Sequence, residues 1–292
     1  MKAESRFTRM DFAVMLFCIV FLFLNLGAIS GGARRRAKKM VCLSNLRVWG
    51  KVFQMYAEDN DGSTLSDEVF NEIWGHTPLS CIPGPECWAS YLKYYYEDSK
   101  MRLCPMATKG WGDNIESFGR KYSAWEIPQD SWEFPEGGIG SYGINEWCYN
   151  PPPEQSCGPW GYPLEHCWRT VNVTEADEIP LFMGCLHIGF ICEAWVGGYV
   201  GKPHPIEDRP FTGDGTGYGR ICMDRHGNGT MNALFLDFSA RSVGLKELWT
   251  LRFAKDGGGW VWDTCNKYTI CGGATSEDWD DWAPWMKDFK DY

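Results

Sequence analysis

The chain has 292 residues, 44% of them apolar and 15% aromatic, with 16 Trp, 13 Cys and a formal net charge of −10. That charge is divided, with +6 on residues 1–39 and −16 on the rest, so most of the chain is unsuited to nucleic acid or an anionic lipid surface. Its length suffices for one sizeable domain beyond an N-terminal segment, or for two small ones.

Residues 12–29, FAVMLFCIVFLFLNLGAI, carry no charge, and a helix of that length just crosses the ~30 Å hydrocarbon layer of a bilayer. A single membrane anchor is the expectation. In ARRRAKKMVCLSNLRVWGKVFQMYAEDNDG, which follows, Cys42, Leu46, Trp49, Val52 or Phe53, and Tyr56 recur at steps of three and four. This is the stripe of a helix with one buried face, and Asn60, Asp61 and Gly62 are its stop signal. Lys2, Arg6 and Arg9 ahead of the apolar run, with Ala28-Ile29-Ser30 as a small-residue site, also fit a secretory signal peptide. The amphipathic continuation and Asp11 favour a retained anchor.

These residues carry a resemblance. FTRMDFAVMLFCIVFLFL resembles the N-terminus of type IV pilin-like proteins, with Phe7 and Asp11 on the family's first residue and its acid. The segment after it is similar to the pseudopilins of type II secretion, in a branch with a Cys-rich globular part. The family's processing site falls between Arg6 and Phe7, with Arg6 where the family has Gly, and Asp11 replaces a Glu. The resemblance implies that Asp11 meets the freed amine of a neighbouring subunit's Phe7 during assembly.

The basic cluster Arg34, Arg35, Arg36, Lys38 and Lys39 would by itself place the C-terminal part in the cytoplasm. The cysteines argue the other way. Apart from Cys18 in the apolar run they number twelve, which reads as a disulfide framework in an oxidising compartment. The expected placement is a single-pass inner-membrane protein with its globular part in the periplasm or exterior.

Beyond residue 62 the pattern is loop-rich. Ser90 to Tyr96 reads as a short helix or strand, and Arg102-Leu103-Cys104-Pro105 as an extended segment ended by proline. The resemblance implies a Cys42–Cys104 disulfide. Cys81 with Cys87, and Cys265 with Cys271, are spaced to close small local loops. Residues 107–180 read as insertion and loop, broken by Gly137-Gly138 and Pro151-Pro152-Pro153. Within them Ser141-Tyr142-Gly143-Ile144-Asn145 resembles a motif of the same branch, and we read it as a strand edge with its Gly in a conformation other residues resist.

Ile179 to Cys192 reads as a buried strand pair, and Cys185, His187 and Cys192 lack the spacing of zinc ligands. Between Ile221 and Lys255, an alternating strand (Met231, Ala233, Phe235), a turn at Asp237 to Ser239 and a return strand Ala240 to Val243 form a β-hairpin by pattern. This segment resembles the family's C-terminal signature, in which a His precedes Asp-Gly; here His226 precedes Asp237, and Phe238 stands in place of the Gly. His226 and Asp237 could serve as base and orienter, but no nucleophile elbow or phosphate loop accompanies them. Asp59-Asn60-Asp61-Gly62 lacks the later acid of a calcium loop and reads as a helix stop. At the C-terminus Trp282, Met286 and Phe289 share a helical face, shortened by Pro284.

The expected fold is therefore α+β and pilin-like: a long N-terminal helix, its first half transmembrane, on a small antiparallel sheet with disulfide-rich loops. Its parts are a leader-like peptide (1–6), the transmembrane half (7–32), the amphipathic half (33–61) and an extracytoplasmic globular domain (62–292). The resemblance implies a structural subunit of a type IV pilus or type II secretion pseudopilus, assembling through its N-terminal helix. Its partners would be other pilin-like subunits, a membrane assembly platform and a prepilin peptidase. No enzymatic activity, cofactor or metal is expected. The Trp content suggests a second reading, a membrane-anchored carbohydrate-binding surface protein, against the alternative that Trp serves as core payload.

Overall fold

The structure, a computed structural model, describes residues 8–66, 88–111, 118–131, 136–153, 155, 158, 164–190, 217–255, 284–290 and 292. Helix α1 spans Arg9–Asp59, 51 residues, which at 1.5 Å per residue is roughly 75 Å. It starts at Thr8, whose side chain accepts from Asp11 N while Asp11 reaches back to the Thr8 N–H, a reciprocal capping box. At the other end Asn60 donates from Nδ2 to the Tyr56 carbonyl, and Gly62, at φ 76°, donates to Ala57 O. Both bonds satisfy carbonyls that the last turn leaves open.

The stripe Cys42, Leu46, Trp49, Val52, Phe53 and Tyr56 is buried, and this half of α1 packs on strands β6 (Thr230–Phe235) and β7 (Ala240–Gly244). Ahead of them in the chain lie the single turn α2 (Trp88–Tyr91), a ribbon of β1 (Trp125–Ile127) and β2 (Gly138–Gly140), then β3 (Tyr142–Asn145), β4 (Pro180–Gly184) and β5 (Gly189–Phe190). The main sheet runs β5-β3-β4-β6-β7, antiparallel throughout except for the parallel pair β3–β5. Trp49 is the centre of an aromatic cluster, with Trp88 at 5.1 Å edge-on, Tyr96 at 4.8 Å and Phe182 at 5.4 Å. The buried indoles are hydrogen-bonded: Trp49 to Met101 O, Trp88 to Ile188 O and Trp125 to Tyr142 O.

The expected fold needs correction in three respects. Among the described residues no helix is long and apolar enough to cross a membrane. This overturns the transmembrane half and the single-pass placement. Second, the sheet is mixed and five-stranded, not a small antiparallel one. Residues 107–180, expected to be loop, supply strand β3, the first residue of β4 and both strands of the ribbon, because short strands such as Gly138–Gly140 leave too little periodicity to read. Third, the described cysteines, Cys42 and Cys104 included, are free thiols. A disulfide needs sulfurs about 2.05 Å apart; Cys42 and Cys104 are hydrogen-bonded instead, and Cys148, Cys167, Cys185 and Cys222 are buried as small apolar residues. The oxidising compartment inferred from a disulfide framework loses that support.

Smaller differences have local causes. The Ser141–Asn145 strand is interior, with β4 on one side and β5 on the other. Its Gly143 is required by crowding: a Cβ there would lie 2.7 Å from His187 O and 2.8 Å from Cys185 Cβ. The apolar run from Ile179 does give two buried strands, but β3 lies between them. The C-terminal helix is reduced to a 3-10 turn, Pro284–Met286, with Met286 buried. Cys81, Cys87, Cys192, Cys265, Cys271 and Trp282 lie outside the described residues.

Candidate functional site

Two features stand apart from ordinary packing, and the first is the free end of α1. Every described side chain from Met10 to Leu22 is exposed, including Phe12 at 62%, Phe17 at 69% and Leu22 at 58%. These positions run consecutively, so the apolar surface goes all round the helix and not along one stripe. A helix apolar on all faces is normally covered by something. Asp11 is not left for an outside partner alone: its carboxylate accepts from the Thr8 N–H at 2.8 Å and the Thr8 hydroxyl at 2.7 Å. Those bonds hold its pKa below the ordinary Asp value. The Thr-x-x-Asp spacing is the sequence signal for this cap. Arg6 and Phe7 lie outside the described residues.

The second feature is a buried cluster where three distant segments meet. Cys42 comes from the seated face of α1. Cys104 is brought to it by the segment 99–104, which is clamped along the helix by Asn45 Nδ2 donating to Leu103 O and Trp49 Nε1 donating to Met101 O. The Cys104 N–H donates to Ser141 Oγ at 2.5 Å. His226 sits in the tight loop ahead of β6, where Asp224 and Asn228 take positive φ and Asp224 Oδ1 accepts from Gly229 N. Cys104 Sγ and His226 Nε2 are 3.4 Å apart, and the ligand atoms of Cys42, Cys104 and His226 all lie within 4.8 Å of one another. Tyr142 donates its hydroxyl to Cys42 Sγ at 3.4 Å.

Arg225 lines the same cluster, 2% exposed. Its guanidinium donates to three carbonyls, Lys121 O at 2.8 Å, Ser141 O at 2.7 Å and Cys185 O at 3.1 Å, and also meets the Cys222 sulfur. The Cys42 thiol is held down to about 7, first by its hydrogen bond with Cys104, then by Tyr142, Asn232 and the Arg225 charge, against the upward push of burial. Burial and the neighbouring Cys42 push Cys104 the other way, well above the usual thiol range. Their shared hydrogen bond thus moves the two thiols in opposite directions.

His226 and Asp237 are not brought together. Strand β6 separates them, roughly 20 Å of extended chain, and Asp237 is exposed in the hairpin turn, accepting from Ser239 N. Base-and-orienter chemistry has no geometric support there. Cys185 donates to Arg220 O, and His187 lies on Phe118 at 4.6 Å. The cluster of Cys42, Cys104 and His226 escaped sequence reading because Cys104 and His226 are 122 residues apart, whereas legible metal patterns carry close pairs. No family model, curated protein or solved structure matches the chain.

Proposed function

We propose that the protein is a structural subunit of a filament of the pilus or pseudopilus kind, assembling by lateral packing of its N-terminal helix with those of like subunits. The observation that supports it is the exposed apolar surface from Phe12 to Leu22 at the end of a helix whose other half is locked into the domain. Burying such side chains is worth about 1.5–3 kcal/mol each, so association of several helices outweighs the entropy cost of bringing subunits together. The N-terminal resemblance points the same way, and an assembly platform and a prepilin peptidase are the partners it implies. The carbohydrate-binding reading draws less support, because Trp49, Trp88, Trp125, Trp147 and Trp168 are buried in the core.

Analytical ultracentrifugation of the full chain tests this. Concentration-dependent assembly is expected, together with its loss in the double variant Phe17→Asp/Phe21→Asp, whose thermal unfolding should match the parent because neither residue touches the sheet. A parent chain that stays monomeric at tens of micromolar overturns the proposal, and saturable glycan binding lost with Trp111→Ala would favour the carbohydrate-binding reading.

A further inference from the structure

We infer that Cys42, Cys104 and His226 form a buried binding site for one soft monovalent metal ion, Cu(I). The donor set is two sulfurs and an imidazole nitrogen, the combination that soft and borderline first-row metals select. An ion about 2.3 Å from each sulfur in a trigonal arrangement needs ligand atoms roughly 4 Å apart. The three atoms here lie within 4.8 Å of one another, with Cys104 Sγ to His226 Nε2 at 3.4 Å, so side-chain rotations of a few tenths of an ångström suffice. Cys42 is on the seated face of α1, Cys104 on a segment clamped to that helix, and His226 in a loop fixed by Asp224. The cluster is therefore held by three separately anchored backbones.

Charge chooses the ion. Arg225 is buried against the cluster, its guanidinium bonded to three carbonyls and, among the described residues, in no salt bridge. Nearby Asp224 is matched by Lys121 at 3.6 Å, and the Lys39 amine donates to Thr230 Oγ1. Among the fully buried groups, two thiolates, Cu(I) and the Arg225 guanidinium sum to zero, while the Lys39 amine near Cys42 is half-buried and partly solvated. Zn(II) in the same place leaves one positive charge buried, and several kcal/mol per uncompensated ion is the usual penalty. Binding displaces the thiol protons to solvent, and the copper keeps its oxidation state. The site lies in the globular body, away from the exposed helix, so it does not depend on the assembly reading.

The test uses the full chain, reduced and anaerobic, titrated with Cu(I) as its acetonitrile complex against a chromophoric Cu(I) chelator, and in parallel with Zn(II). The expected result is one tightly held equivalent of Cu(I) whose X-ray absorption shows two sulfur and one nitrogen neighbours. Replacing a histidine's supporting partner already costs 10–100-fold in affinity, so His226→Gln and Cys104→Ser should each weaken that equivalent by about 100-fold or more. Cys148→Ser, at a buried thiol elsewhere, should leave it unchanged. Arg225→Gln should move the preference from Cu(I) toward Zn(II); if that variant fails to fold, the parent's own preference decides the point. Tighter binding of Zn(II) than Cu(I), copper retained in full by His226→Gln, or no metal bound and the two thiols recovered as a disulfide would each overturn the assignment.

Discussion

A Cβ placed on Gly50 would lie 2.7 Å from the carbonyl oxygen of Phe238 and 3.0 Å from Leu234 Cδ1. The missing side chain of Gly50 thus lets α1 lie directly against the β6–β7 turn, and Phe238 takes φ 65° in that turn, where the resembling signature has Gly. The obstacle is backbone on a tight hairpin and cannot rotate aside. Gly50→Ala normally gains helix propensity of about 1 kcal/mol, but here overpacking should cost about 1–3 kcal/mol. The expected outcome is a net loss of stability in urea denaturation, with an unchanged m-value. An equal or higher midpoint would mean that the helix and the turn are not in contact.

The seated half of α1 was legible because Cys42, Leu46, Trp49, Phe53 and Tyr56 follow one helical period, and the β6–β7 hairpin because Met231, Ala233 and Phe235 alternate before a polar turn. Sequence alone puts β3 at an edge, because five residues with a Gly carry no sign of how many neighbours the strand has. Its partners come from Pro180–Gly184 and Gly189–Phe190, and only the folded chain shows that they flank it on both sides. The cysteines misled for a related reason. An even count is a statement about composition, whereas Cys148, Cys185 and Cys222 are each buried against carbonyls, at Pro180, Arg220 and Lys121.

The His187 ring is buried, and burial, with Arg220 nearby, lowers its pKa to about 3 from the usual 6.5. Between those values the unfolded chain binds a proton that the folded chain does not, so stability rises with pH across this window. The contribution is complete above about 6.5 and is lost progressively on acidification, by up to about 1.4 kcal/mol per pH unit. Denaturation midpoints measured from pH 3.5 to 7 should show that slope. His187→Phe, which keeps the ring against Phe118, should flatten it; an unchanged slope would assign the effect to other groups.

Thr8 and Asp11 cap each other at the start of α1. Because hydrogen bonding lowers the Asp11 pKa, the cap is present above the ordinary Asp range and is lost as pH falls through the lowered value. Asp11→Ala and Thr8→Ala should each speed amide exchange at Asp11 and Phe12 while leaving Trp49 and Tyr56 protected. Exchange at Asp11 and Phe12 unaffected by either change would mean that the cap does not hold in solution.

Glu146 has a fully buried side chain, and its Oε1 accepts from Arg220 Nη1 at 3.0 Å. Arg220 also donates to Gly189 O, so the pair ties the residues after β3 to the β5 strand and to the loop that leads to Cys222. A buried ion pair adds little net stability, but removing one partner strands the other's charge at a cost of about 3–5 kcal/mol. Arg220→Met should therefore be strongly destabilising, and Glu146→Gln less so, since an amide can still accept from the guanidinium. The double variant Glu146→Gln/Arg220→Met should recover part of the Arg220→Met loss, giving a coupling energy of about 1–3 kcal/mol in a double-mutant cycle. Strict additivity of the two single changes would show that the carboxylate and guanidinium do not depend on one another, and that the β5 edge is held by its backbone bonds alone.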